Sequence, residues 1–280
     1  MDEPKIWLVT GSSRGLGRAI TEAAASSGAK VMATARQPDQ LNDLITAYPG
    51  RVETVALDVT NPAAARRAVR STVEAFGRLD VVVNNAGYAD SAPIEEMSDE
   101  GFRAQIDANL FGVVNVTRAA LPVLRAQRSG VFVHVTSIGG RVGGAPGMSA
   151  CQTAKFAVEG FSEVLAAETG PFGVKVIIVE PGAFRTESQD SSLVRHPAGP
   201  DYEATVGRSH RFGDESQGAE PGDPARAAEV IVRVVTLDDP PRRLPLGSDA
   251  LTAALAAGAA RTAEAARWAD LSRSTDYRAA

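Results

Sequence analysis

Cys151 is the only cysteine of the chain, and it stands four residues before Lys155. If Ser149 to Thr169 form a helix, as their pattern suggests, residues four apart share one face, so a thiol and an ammonium meet there. A neighbouring cation lowers a thiol pKa from its reference near ~8.5, and the resulting thiolate is a nucleophile or a weak base. Nucleophilic chemistry needs a base within reach, and the histidines are His134, His196 and His210. His134 alternates within an expected strand and reads as packed, while the other two fall in a stretch rich in Ser, Gly, Pro and Arg. A cysteine nucleophile is therefore disfavoured, and a zinc site of cysteine and histidine is as well.

A second constellation suits an anion. Lys5 to Thr10 is short, apolar and β-prone, and it runs directly into Gly11-Ser12-Ser13-Arg14-Gly15-Leu16-Gly17 and an alanine-rich helical pattern. Glycines let a backbone approach a diphosphate closely, and free N–H groups at a helix start attract it. The spacing Gly-x-x-x-Gly-x-Gly differs from the common Gly-x-Gly-x-x-Gly fingerprint, so the flanking strand and helix carry the reading.

These residues need a scaffold. Strand patterns occur at Lys5 to Thr10, Lys30 to Ala35, Val52 to Leu57, Leu79 to Asn84, Val131 to Ser137, Val174 to Glu180 and Arg243 to Leu246. Helical patterns occupy Gly15 to Ser27, Pro62 to Phe76, Gly101 to Arg128, Ser149 to Thr169, Asp223 to Leu237 and an alanine-rich run from about 248 to 271. Such alternation predicts a single α/β domain over 1–280: a doubly wound, Rossmann-like parallel sheet of seven strands with helices on both faces. Residues 182–222 lose periodicity, and a long irregular segment in a compact domain reads as a lid over a substrate site. With 29 basic and 34 acidic residues the chain has a net charge of −5, which offers no general attraction for nucleic acid. No apolar run reaches the roughly 20 residues of a membrane span, and no signal peptide is legible, so the expectation is a soluble, cytoplasmic protein.

Several separated motifs then agree: Thr10 to Gly17, Asp58-Val59 after the third strand, Asn84-Asn85-Ala86-Gly87 after the fourth, Asn109 in the next helix, Ser137 after the fifth strand, Lys155, and Pro181-Gly182 after the sixth. In this series the chain resembles the classical short-chain dehydrogenase/reductase family along nearly its whole length. The resemblance implies strand order 3-2-1-4-5-6-7 and a nicotinamide dinucleotide held by Gly11, Ser13, Arg14, Gly15, Leu16, Gly17, Arg36, Asp58, Val59, Asn85, Ala86, Gly87, Lys155, Pro181, Gly182, Phe184 and Thr186. It also implies a small-molecule ketone or secondary alcohol as substrate, and a homo-oligomer paired through the helices at 101–128 and 149–169. Ser137 would polarise the substrate oxygen, Lys155 would hold the ribose, and Asn109 would anchor a proton-relay water.

Charge selects the cofactor. NAD enzymes place a carboxylate at the end of the second strand, where it binds the ribose hydroxyl and repels a 2′-phosphate. Ala35 and Arg36 stand there, and Arg14 can reach the same region, so NADP(H) is expected in preference to NAD.

The resemblance breaks at Cys151, where the family places the tyrosine that donates the proton. The thiol is shorter than a phenol, and a thiolate beside Lys155 has no proton to give. An oxidoreductase impaired or altered at Cys151, a slow variant working through Ser137 and water, and a dinucleotide-binding regulatory or sensor protein without turnover all remain open.

Overall fold

Strands made almost wholly of Val, Ile, Leu and Ala have no face suited to water, so both faces of their sheet must be covered. The computed structural model describes residues 3–185, 193–216 and 218–277, and it shows that arrangement. The strands are β1 (Ile6–Val9), β2 (Lys30–Ala35), β3 (Val52–Ala56), β4 (Val81–Asn84), β5 (Ala89–Ser91), β6 (Gly130–Val135), β7 (Val174–Pro181), β8 (Leu193–Arg195) and β9 (Arg243–Leu246). Seven form one sheet in the order β3-β2-β1-β4-β6-β7-β9, while β5 and β8 pair separately. Every pairing is parallel. With β5 and β8 set aside, this is the expected doubly wound order.

The two-residue period of a strand sorts the core into two layers. Trp7, Val9, Val81 and Val83 point to one face, covered by α1 (Gly15–Ser26) and α8 (Pro224–Val234) through Ile20, Ala24, Ala228 and Ile231. Leu8, Val82 and Phe132 point to the other, where α3 (Pro62–Phe76), α5 (Gly112–Gln127) and α6 (Ser149–Thr169) supply Val69, Val116, Leu124 and Leu165. Among the described residues, three α-helix starts are capped by side chains: Asn61 accepts from the amides of Ala63 and Ala64, Ser98 from Gly101, and Asp223 from Ala225 and Arg226.

The structure departs from the sequence expectation in several places, the unexpected strand β5 among them. The helix expected at Gly101 to Arg128 begins earlier, as α4 (Asp99–Ile106), and a π-helical turn, Asp107–Phe111, separates it from α5. A short helix, α2 (Asn42–Ala47), stands in the unassigned stretch before β3. Residues 182–222 are not uniformly irregular: they contain β8, a π-helical turn Glu203–Gly207 and α7 (Arg208–Glu215). The chain closes with α9 (Ser248–Arg267) and α10 (Ala269–Arg273). Only Ala250 and Ala254 of α9 are buried, as expected of a helix carried by alanine propensity more than by packing.

Candidate active site

At the carboxyl end of β1 the chain turns through Gly11 and Gly15, both at positive φ (71° and 55°), a region that favours glycine. Gly17 is needed for another reason. A Cβ there would lie 2.2 Å from the Gly11 carbonyl oxygen and 2.3 Å from Asn85 Nδ2. Asn85 donates that amide to the carbonyls of Thr10 (3.0 Å) and Gly11 (3.3 Å). Thr10 answers from the other side, its Oγ1 accepting from the backbone amides of Asn85 (2.9 Å) and Ala86 (3.0 Å). The fully buried Ser12 donates to the Val9 carbonyl and accepts from Thr21. Two turns, one after β1 and one after β4, are thus locked into one floor. Unlike α3 and α8, α1 has no side-chain cap, so the amides of its first turn and its dipole are left to face outward from this floor.

The next strand ends bring the remaining motifs to the same edge. Gly87 packs against Asn109 and Lys155: a Cβ at 87 would sit 2.3 Å from Asn109 Oδ1 and 3.8 Å from Lys155 Nζ. Asn109 is buried in the π-helical turn, where its amide donates to the Tyr88 carbonyl (2.8 Å) and to the Gln105 carbonyl of its own helix (3.0 Å). Its Oδ1 accepts from Tyr88 N (3.2 Å). A π-helical turn leaves a carbonyl without its usual helical partner, and Asn109 supplies one. Lys155 Nζ donates to the carbonyl of Val135 (2.8 Å), two residues before Ser137. Ser137 opens a short 3-10 turn, Ile138–Gly140, and its Oγ accepts from Gly139 N (3.0 Å), leaving its hydroxyl proton for another acceptor. Gly140 packs on Lys155, where any Cβ would meet the lysine Cβ at 2.8 Å.

The electrostatics of Cys151 reverse the sequence expectation of a thiolate. Burial pushes the thiol above its ordinary value, and the opposing pull of the Lys155 ammonium is the smaller effect. Lys155 in turn is held below the usual lysine range by burial, with Cys151 opposing. Position 151 therefore carries a protonated thiol, which has a proton to give but little reach.

Arg36 is exposed directly after β2, and among the described residues it forms no salt bridge; Arg14 is exposed at the start of α1. Asp58 Oδ1 accepts from Thr60 N (2.9 Å) and Oγ1 (2.7 Å), and Val59 packs on Gly112 of α5. Pro181 closes β7. Gly182 lies under Asp249, the second residue of α9, whose carboxylate also accepts from Ala183 N (2.8 Å). Phe184 is 9% exposed and its ring packs on Gly222 in the apolar layer, which limits how far that ring can reach toward a ligand. Ser13 and Leu16 line the first turn, Leu16 against the core. Thr186 lies outside the described residues.

His134 is packed, as its place in the strand suggested, and the structure adds its hydrogen-bond partners. It is wholly buried between Ser162 Oγ, 2.7 Å from Nδ1, and Thr117 Oγ1, 3.4 Å from Nε2. Ser162 donates to Val158 O, so His134 donates from Nδ1, while Thr117 accepts from Asn84. Burial, seconded by Lys155, lowers the His134 pKa to about 3. A polar residue alternating within an otherwise apolar strand was its one signal. Two surface hollows, about 420 Å³ between α1 and α8 and about 710 Å³ by Val174 and Arg242, lie toward the amino ends of the strands. Open α/β sheets bind ligands at the opposite ends, where Gly11, Asn85, Ser137 and Lys155 meet.

Comparison with known proteins agrees with this layout. The family model described as short chain dehydrogenase matches residues 5–195. Oxidoreductase BOA17 of Botryotinia fuckeliana is 47% identical, covering 96% of this chain and 98% of its own. A short-chain dehydrogenase structure from Streptomyces avermitilis superposes with a TM-score of 0.91 at 39% identity, over 98% of this chain and all of the other. An alcohol dehydrogenase from Thermococcus sibiricus, solved in complex with 5-hydroxy-NADP, superposes with a TM-score of 0.71 at 26% identity over 87% and 96% of the two chains. With the family model spanning well over half of its length, the chain belongs to the short-chain dehydrogenase family of oxidoreductases.

Proposed function

We propose that this protein is an NADP(H)-dependent oxidoreductase acting on a ketone or secondary alcohol, with proton transfer altered by Cys151. The observation that carries the reading is the uncapped start of α1 over the floor built by Gly11, Gly17 and Asn85, on the same sheet edge as Ser137 and Lys155. A dinucleotide diphosphate fits there, because any side chain at Gly17 would fill the floor and the outward amides have no partner from a capping side chain. Arg36, with no carboxylate beside it, suits a 2′-phosphate, and the Thermococcus sibiricus relative was solved with an NADP derivative. When bound, the nicotinamide supplies or accepts the hydride.

The protein's own groups do the rest. Ser137 donates its hydroxyl to the substrate oxygen. Lys155, anchored at Val135 beside Gly87, would hold the nicotinamide ribose. Asn109 holds the π-helical turn and Tyr88 beside them. Exposed Phe111, Phe156 and Val164, on the π-helical turn and α6, support pairing of two copies through these helices.

Replacing Cys151 by tyrosine tests the reading. A phenol beside Lys155 should raise NADPH-dependent reduction across a panel of ketones and aldehydes on the order of 10²-fold or more, the usual contribution of a positioned general acid. A dinucleotide-binding protein without turnover is the second reading, favoured by the short thiol at 151. Cys151→Tyr protein that binds NADPH yet reduces nothing on the panel would establish that second reading in place of the first.

A further inference from the structure

Beyond β8, the chain brings the side chain of a histidine against Ser91. His210, on α7, lies with its Nε2 2.7 Å from Ser91 Oγ at the end of β5. Ser91 is 2% exposed. Its backbone carbonyl accepts from His196 N (2.9 Å), and its neighbour Ala92 donates to the Gly147 carbonyl (3.0 Å). β5 pairs in parallel with β8, Ser91 opposite Arg195, so both strands hold the pair in place.

The segments that flank the pair lead directly into residues of the site. Ser91 is four residues beyond Gly87, which packs on Asn109 and Lys155. Gly147 is four residues before Cys151, and a Cβ there would lie 2.5 Å from Ser91 Oγ and 3.5 Å from His210 Nε2. Gly147 also has φ +85°, so only glycine lets the turn entering α6 close over the two side chains without strain. Of the other histidines, His134 is sealed in the core with both ring nitrogens bonded, while His196 approaches Ser91 through its backbone.

We propose that Ser91 and His210 form a proton-donating pair that serves the substrate oxygen in place of the phenol absent at position 151. This rests on the oxidoreductase reading above. With Nε2–H donating to Ser91 Oγ, the serine hydroxyl is free to donate in turn. As the carbonyl carbon accepts hydride from the reduced nicotinamide, its oxygen takes the Ser91 hydroxyl proton. Ser91 takes the Nε2 proton of the His210 imidazolium, and the imidazole regains a proton from solvent. In the alcohol-oxidising direction the same protons run backwards.

Several groups face the imidazole. Burial and the Arg195 guanidinium of β8 hold His210 below the usual imidazole range, with His196 acting in the same sense. Asp214 on α7 and Glu203 on the preceding π-helical turn oppose them, although Asp214 is also paired with Arg195 (3.3 Å) and Glu203 with Arg211. Reduction by the parent protein should therefore fall as pH rises through that depressed value.

The experiment is a cycle of His210→Gln and Ser91→Ala, each made in the parent and in the Cys151→Tyr background, with kcat/KM measured for NADPH-dependent ketone reduction. In the parent each change should lower kcat/KM on the order of 10²-fold. Beside the restored phenol the loss should be at least tenfold smaller. The falling limb of the parent pH profile should disappear in His210→Gln, while NADPH affinity, read by fluorescence titration, stays within about twofold of the parent and shows the variants folded. Parent protein without turnover beside an active Cys151→Tyr variant would overturn the pair and leave the oxidoreductase reading standing. Equal losses in both backgrounds would also overturn it, in favour of a purely positional lid contact. Inactivity of Cys151→Tyr itself would defeat the oxidoreductase reading and the pair with it.

Discussion

Gly17→Ala puts one methyl where Gly11 and Asn85 already are. The new carbon would lie 2.2 Å from the Gly11 carbonyl oxygen and 2.3 Å from Asn85 Nδ2, so the two turns must separate. Overpacking of this kind costs about 1–3 kcal/mol. The two hydrogen bonds by which Asn85 joins the turns, to Thr10 O and Gly11 O, contribute about 1 kcal/mol each. The loss is then about 3–5 kcal/mol, enough to lower Tm by roughly 10 °C without abolishing the fold. The same displacement moves the amides at the start of α1. If two charge-assisted bonds to a diphosphate are lost, at about 1.5–3 kcal/mol each, NADPH binding weakens on the order of 10²-fold or more. Thermal melts followed by circular dichroism and fluorescence titration with NADPH measure the two effects. Gly258→Ala is the control, because that glycine lies inside α9 with no atom within 4 Å of an added Cβ, and it should stabilise by up to about 1 kcal/mol. A Gly17→Ala protein with the parent's Tm and nucleotide affinity would refute the floor as described.

Arg36→Asp should reverse the preference between NADPH and NADH, shifting the ratio of affinities on the order of tenfold or more; equal affinities in the parent would defeat the charge argument. Because burial holds Cys151 as a thiol, alkylation by iodoacetamide should be slow at neutral pH and accelerate only above the ordinary thiol range, and Lys155→Met should move that onset higher still. Fast alkylation at pH 7 would contradict this. His134 stays neutral in the folded protein down to about pH 3, whereas the unfolded chain protonates it near 6.5. Between those values the unfolded state binds more protons, so stability is full above pH 6.5 and is lost as pH falls toward 3, by up to about 5 kcal/mol. His134→Gln should flatten the slope of urea-unfolding free energy against pH by about one proton in that window; an unchanged slope would show that His134 titrates alike in both states.

The local sequence determined what short-range physics controls. Short apolar strands, glycines placed before an alanine-rich helix, and motifs repeated at strand ends all act within a few residues of themselves, so the elements and the edge that gathers Gly11, Asn85, Ser137 and Lys155 were legible without coordinates, while the sheet order followed from the family resemblance those motifs carry. Tertiary structure decided the features that depend on distant partners and on excluded water. The protonation of Cys151 turned on whether desolvation or the neighbouring ammonium is larger, and one-dimensional spacing shows only the ammonium. Thr10 and Asn85 are 75 residues apart in the chain, and Ser91 and His210 are 119 apart, so neither bond leaves a local pattern. The π-helical turn around Asn109 likewise follows from a bond to Tyr88, 21 residues earlier, which no helical propensity records. Helix α7 was missed because none of its residues is buried: without an apolar stripe, its periodicity had nothing to mark it.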